Sequence, residues 1–194
     1  MSDGGAFVHN LFLGKIRFQP EHSRYTPYHL PHSTEVAGIS IIIGGDDRFY
    51  NNVFLPSRLA DGEKIAGSYG LADYAKAGYP VTAGGNAYFA PAQPFPADTL
   101  GGVRQRPEEE VVIEETADGV FIVLPDVELP TAGAGIVRGD ELGQTVLAKT
   151  GYENPDGSSV VFDTDYFGQK RSESSLVPGP FTDWRQKNGK YKIW

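Results

Sequence analysis

The chain has 194 residues, with 17 basic and 25 acidic side chains, a formal net charge of -8 and no cysteine. That length holds one full domain or two small ones and not a large multidomain enzyme. The acidic balance argues against a clustered Lys and Arg footprint for nucleic acid, and the missing thiols exclude disulfides, thiolate zinc sites and a cysteine nucleophile.

Gly and Pro contribute 24 and 14 residues, about a fifth of the chain, while 40% of the residues are apolar. This is the balance of a turn-rich, mostly β globular chain. No apolar run approaches the ~20 residues that cross a membrane, and Met1-Ser2-Asp3-Gly4-Gly5 lacks the basic and apolar regions of a secretory signal. Ala6-Phe7-Val8 already reads as a strand, which points to a fragment.

From Gly5 to Pro96 short apolar pieces at Phe7-Val8, Leu11 to Leu13, Ile39 to Ile43 and Val53 to Leu55 alternate with turn residues and read as strands. The best helical candidate, Leu71 to Ala77, is only about two turns long. Three segments share one pattern: His9-Asn10-Leu11-Phe12-Leu13, Asn51-Asn52-Val53-Phe54-Leu55 and Gly85-Asn86-Ala87-Tyr88-Phe89. Asn tolerates left-handed turn geometry, and stacked turns let the amides form a ladder, which is how a parallel β-helix turns its corners. Spacings of 42 and 34 residues between these asparagines leave room for a long loop on each coil.

Two places could carry chemistry. All four histidines fall in the first 32 residues, and the loop from Arg24 to Glu35 holds Tyr25, Tyr28, His29, His32 and Glu35. Pro27 and Pro31 forbid a helix there, so the spacing of His29, His32 and Glu35 is not that of a helical zinc motif, and no metal or other cofactor is expected. Flat rings beside a few polar groups suit a sugar-contact surface. At roughly 18 residues between strands, the loop is of a length that usually serves a function. The second place is Gly44-Gly45-Asp46-Asp47-Arg48. Glycosidases need one protonated and one ionised carboxyl group, so Asp46 and Asp47 are candidate catalytic carboxylates, with Arg48 an ion-pair partner or sugar contact. The same residues also make an ordinary turn.

Gly101 to Pro107 resembles a linker. Beyond it, Val111 to Ile113 and Val120 to Leu124 flank a turn near Ala117-Asp118-Gly119 and predict a hairpin, with two more strands at Thr145 to Ala148 and Ser159 to Phe162. This divides the chain into coils over 1–103 and a β-rich unit over 104–194.

Asn10 to Ile16, Tyr25 to Gly38 and Gly44 to Asn52 resemble the C-terminal coils of right-handed parallel β-helix glycoside hydrolases and are similar to glycoside hydrolase family 141. Asp163 to Arg171 and Pro178 to Phe181 resemble the closing segment of such proteins. The resemblance implies an all-β fold, the terminal coils of a right-handed parallel β-helix followed by a small antiparallel sheet or sandwich. It implies a polysaccharide or oligosaccharide partner of plant cell-wall type, and fucosidase and xylanase activities occur in that family. Its full-length members suggest a secreted or periplasmic location. Whether the chain is a hydrolase, a non-catalytic carbohydrate-binding module or an assembly piece stays open in the sequence. Neither a nucleic-acid nor a membrane partner is expected, and an exposed coil edge would invite homo-oligomers.

Overall fold

The computed structural model describes residues 3–57, 67–98, 102–131, 134–184 and 189–194. The protein is all-β, with twelve strands and one four-residue helix, α1 (Gly139–Leu142), among the described residues. Its sheets are of both kinds: two parallel sheets and an antiparallel two-stranded hairpin in the first half, and a three-stranded antiparallel sheet in the second.

The first half is organised by its corners. Strands β1 (Ala6–Val8), β5 (Arg48–Tyr50) and β7 (Thr82–Gly84) pair in parallel, with Phe7, Phe49 and Ala83 in register. Two residues further along each segment, β2 (Leu11–Phe12), β6 (Val53–Phe54) and β8 (Ala87–Phe89) form a second parallel sheet, which β9 (Val103–Arg104) extends. Between the sheets the chain turns through His9, Asn51 and Gly85, all with positive φ, each followed by Asn10, Asn52 or Asn86. The amides form the expected ladder: Asn10 N–H donates to Asn52 Oδ1 at 2.8 Å, and Asn52 N–H donates to Asn86 Oδ1 at 2.8 Å. Left-handed geometry is readily reached by Gly and better by Asn and His than by most residues, so the repeated corner is a physical requirement of the turn.

Consecutive residues of a strand point to opposite faces, and β6 and β8 use both. Phe54 and Tyr88 face inward and join Phe49, Leu71, Tyr74 and Ala92 in one core. Val53, Leu55, Ala87 and Phe89 face outward and meet Val111, Ile122, Leu124, Phe181, Trp184 and Tyr191 from the second half. The sheet is therefore buried on both sides, as parallel sheets generally are. The rings of Phe12, Phe54 and Tyr88 stack at successive centroid distances of 4.8 Å, the spacing of paired strands.

Four predicted elements change. The long loop from Arg24 to Glu35 is largely a hairpin, in which β3 (Glu21–His29) pairs antiparallel with β4 (Val36–Ile42). Pro27 is tolerated because β3 pairs on one side only. The predicted strand at Thr145 to Ala148 is a turn, and Ser159 to Phe162 makes only isolated bridges. The predicted helix is a short 3-10 turn over Ala72–Lys76. Strands β10 (Val112–Thr116) and β11 (Gly119–Val123) form the expected hairpin, and β12 (Lys190–Lys192) adds a third strand. Gly101, at the start of the predicted linker, lies outside the described residues.

Candidate functional site

The β3–β4 hairpin forms one wall of a groove of about 340 Å³; the turn at residues 145–150 forms the other. Thr26 and Tyr28, two residues apart on β3, share a face, and Ser40 stands opposite Thr26 on β4. Arg24, Asp3 and Asp46 add charge, while Thr145 and Thr150 add hydroxyls from the far wall. The Tyr28 ring lies over Gly38, where a side chain would place Cβ 2.7 Å from Tyr28 Cε1. Gly38 is thus the seat of the aromatic wall.

The far wall is held by Asp46. This buried residue accepts the Val146 N–H on Oδ2 at 2.7 Å and the Arg48 guanidinium on Oδ1 at 2.5 Å. The turn closes on itself, with Thr150 N–H donating to Thr145 Oγ1 at 3.1 Å and Lys149 in a left-handed conformation. Arg48 also donates to the Asp46, Leu142 and Gln144 carbonyls and lies over the Tyr152 ring. It therefore faces the second half of the chain and is not among the residues lining the groove.

Asp47 is buried beside it and accepts the Gly5 N–H at 2.8 Å. Burial pushes its carboxyl up to about 6; the nearby charges of Asp3 and Asp46 add to the rise, and the Gly5 bond opposes it. Asp47 does not line the groove. Of the two carboxylates, only Asp46 reaches it.

The hairpin tip holds the remaining candidates. His29 Nδ1 lies 3.0 Å from the Glu35 carbonyl, and His32 Nε2 lies 3.0 Å from Glu153 Oε1. Tyr25 is 71% exposed and stands three residues from Tyr28, on the opposite face of β3. The structure brings Tyr28 and Asp46 together and places Tyr25, His29, His32 and Glu35 outside the groove. The Thr145–Thr150 wall escaped the sequence reading because it reaches the groove through contacts about 100 residues away in sequence. The one local signal is Lys149-Thr150-Gly151, a turn-forming end to the supposed strand.

No protein-family model and no curated protein matches the chain. Among solved structures it is similar to XylC in a complex with xylose, at 32% identity and a TM-score of 0.80. The match covers 100% of this chain and 33% of that chain, so the protein spans about a third of XylC's length.

Proposed function

We propose that the chain is the stacked-coil part of a glycoside-hydrolase-like protein, and that it binds a pyranose of the xylose type in the groove between the hairpin and the 145–150 turn. In this reading residues 1–103 are coils of a right-handed parallel β-helix, residues 104–194 are a C-terminal β unit, and family 141 is the finer class that the sequence strings resemble. The observation that carries it is the end-to-end similarity to a xylose complex. The groove supports it chemically, since an aromatic wall beside hydroxyls and a carboxylate suits a sugar's apolar face and its hydroxyl rim. A polysaccharide chain of plant cell-wall type is the natural partner of an open groove.

Calorimetric titration with xylose and xylo-oligosaccharides tests this. Tyr28→Ala is expected to weaken binding at least about tenfold. Gly38→Ala should do the same by displacing the ring, because the Gly38 backbone itself accommodates a side chain. Equal affinity in the parent and both variants would overturn the reading.

A second reading, hydrolysis by the Asp46 and Asp47 pair, takes Asp47, whose carboxyl burial pushes up to about 6, as the acid, and it requires that carboxyl to leave the Gly5 N–H for the groove, which it does not line. Product analysis with Asp46→Asn and Asp47→Asn decides it: binding retained with cleavage lost supports catalysis, and binding without cleavage in the parent removes it.

A further inference from the structure

The asparagine ladder has a direction. Asn10 donates its backbone N–H and Nδ2 to Asn52 Oδ1, and Asn52 donates the same pair to Asn86 Oδ1. Asn86 Nδ2 then donates to Asp98 Oδ2 at 2.6 Å. Asp98 is buried, and the Tyr88 hydroxyl donates to the same oxygen. The ladder closes there.

The other end is open. Asn10 is exposed, and its Nδ2 is spent on the Val8 carbonyl at 3.3 Å and on Asn52 Oδ1 at 3.1 Å. Its Oδ1 accepts no hydrogen bond among the described residues. Gly5 and His9 bond to the neighbouring strand β5, so the alternation of a parallel ladder turns the N–H groups of Ala6 and Val8 away from it. By the same alternation Asn10 and Phe12 bond toward β6, and Leu11 faces outward. Phe12 is half-buried, with Phe54 stacked on one face and Phe7 in edge contact, whereas Phe54, between two stacked rings, is 1% exposed. Val8, Leu11 and Leu13 line a largely apolar cavity of about 440 Å³.

We infer that this end of the stack is the docking face for a further parallel coil, a strand–asparagine corner–strand segment lying along β1 and β2. Its asparagine N–H and Nδ2 donate to Asn10 Oδ1, and an aromatic ring covers Phe12. The inference rests on the stacked-coil reading above. A second copy of this chain does not fit. In two-fold pairing the second copy presents the same Asn10, whose N–H and Nδ2 are already engaged, and so brings no amide donor for Asn10 Oδ1. Head-to-tail stacking presents the buried Asp98 end, where the Asn86 amide is already engaged. What fits is a coil that ends in free donors.

The test fuses residues 44–57, which carry β5, the Asn51-Asn52 corner and β6, to the amino terminus of the 194-residue chain through a flexible linker. Such a tether supplies a millimolar effective concentration. Amide hydrogen exchange of Ala6, Val8 and Leu11 is expected to slow at least about tenfold relative to the unfused chain, and Leu in place of the fused copy's corner asparagine should abolish the slowing. The peptide of residues 44–57 added in trans gives a second measurement should the fusion misfold, with the same amides protected at saturating peptide. Exchange that stays fast in both formats overturns the proposal. So does concentration-dependent protection of these amides in the unfused chain, which assigns the face to a second copy. Xylose titration on the same proteins separates the two readings: lost sugar binding with protected edge amides fails the sugar reading alone.

Discussion

At Asn52 a single side chain holds three strand–corner–strand segments together. Its Oδ1 accepts from Asn10 while its Nδ2 donates to the Phe7 carbonyl at 2.9 Å and to Asn86 Oδ1 at 2.9 Å, and none of its surface is exposed. Asn52→Leu leaves buried donors and acceptors unpaired on both sides, at an expected cost of about 3–5 kcal/mol. Asn10→Leu, at the exposed end, should cost about 1 kcal/mol. Similar urea midpoints for the two variants would refute the ladder as a stabilising device. The first parallel sheet carries a pair of opposed titrations, His9 at its corner end and Asp47 at its other end. Burial, aided by the Arg171 charge, pushes His9 down from 6.5 to about 3. The unfolded chain therefore binds the extra proton between about pH 3 and 6.5, and stability rises with pH across that window. Asp47 acts oppositely. Its folded carboxyl holds a proton up to about 6 while the unfolded one releases it near 3.8, so stability falls as pH rises between these values. Asp47→Asn removes the second effect. Its stability relative to the parent should increase from pH 4 to pH 7, by at most about 3 kcal/mol, whereas His9→Asn should gain relative to the parent as pH falls. Urea titrations at pH 4 and pH 7 check both signs.

The strands differ in how plainly the sequence announces them. The corners were legible because left-handed residue, asparagine, apolar residue and aromatic recur three times, and the β10–β11 hairpin because Asp-Gly separates β-rich runs. Strand β3 was not, since nearly every residue from Glu21 to His29 is at least partly exposed and polar. Without a buried face there is no alternation to read. The groove was half legible for the same reason: Tyr28 and Asp46 stand out by residue type, while the 145–150 wall is defined by the Val146 bond to Asp46. The aromatic stack offers a test of how one strand supports the next. Phe54 lies between Phe12 and Tyr88 and is fully buried, so Phe54→Ala should cost about 3–5 kcal/mol. Phe12→Ala, with one stacked neighbour and a half-open face, should cost roughly half as much. A double-mutant cycle should give a coupling of about 0.5–1.5 kcal/mol, the usual value for a stacked pair. Additive losses would show that the stacking is only geometric.

The whole molecule is organised around a core that the two halves share. Val53, Leu55, Ala87 and Phe89 bury their outer faces against Ile122, Leu124, Trp184 and Tyr191, so removing the second half would expose one entire side of the parallel sheet. Asn51 strengthens the connection, because its side chain accepts the Ala134 N–H at 2.8 Å and donates to the Gly135 carbonyl at 3.0 Å. A parallel sheet with one bare apolar face does not persist in water. Residues 1–103 should therefore fail to fold alone, and the intact chain should unfold in one step. The two tryptophans make this measurable: Trp184 is 4% exposed in the shared core, while Trp194 is 87% exposed and little changed by unfolding. Fluorescence of the Trp194→Phe variant should then report Trp184 alone, and its urea midpoint should coincide with that of far-UV circular dichroism. Separate midpoints would mean that the halves are independent and that the shared core holds them together only weakly.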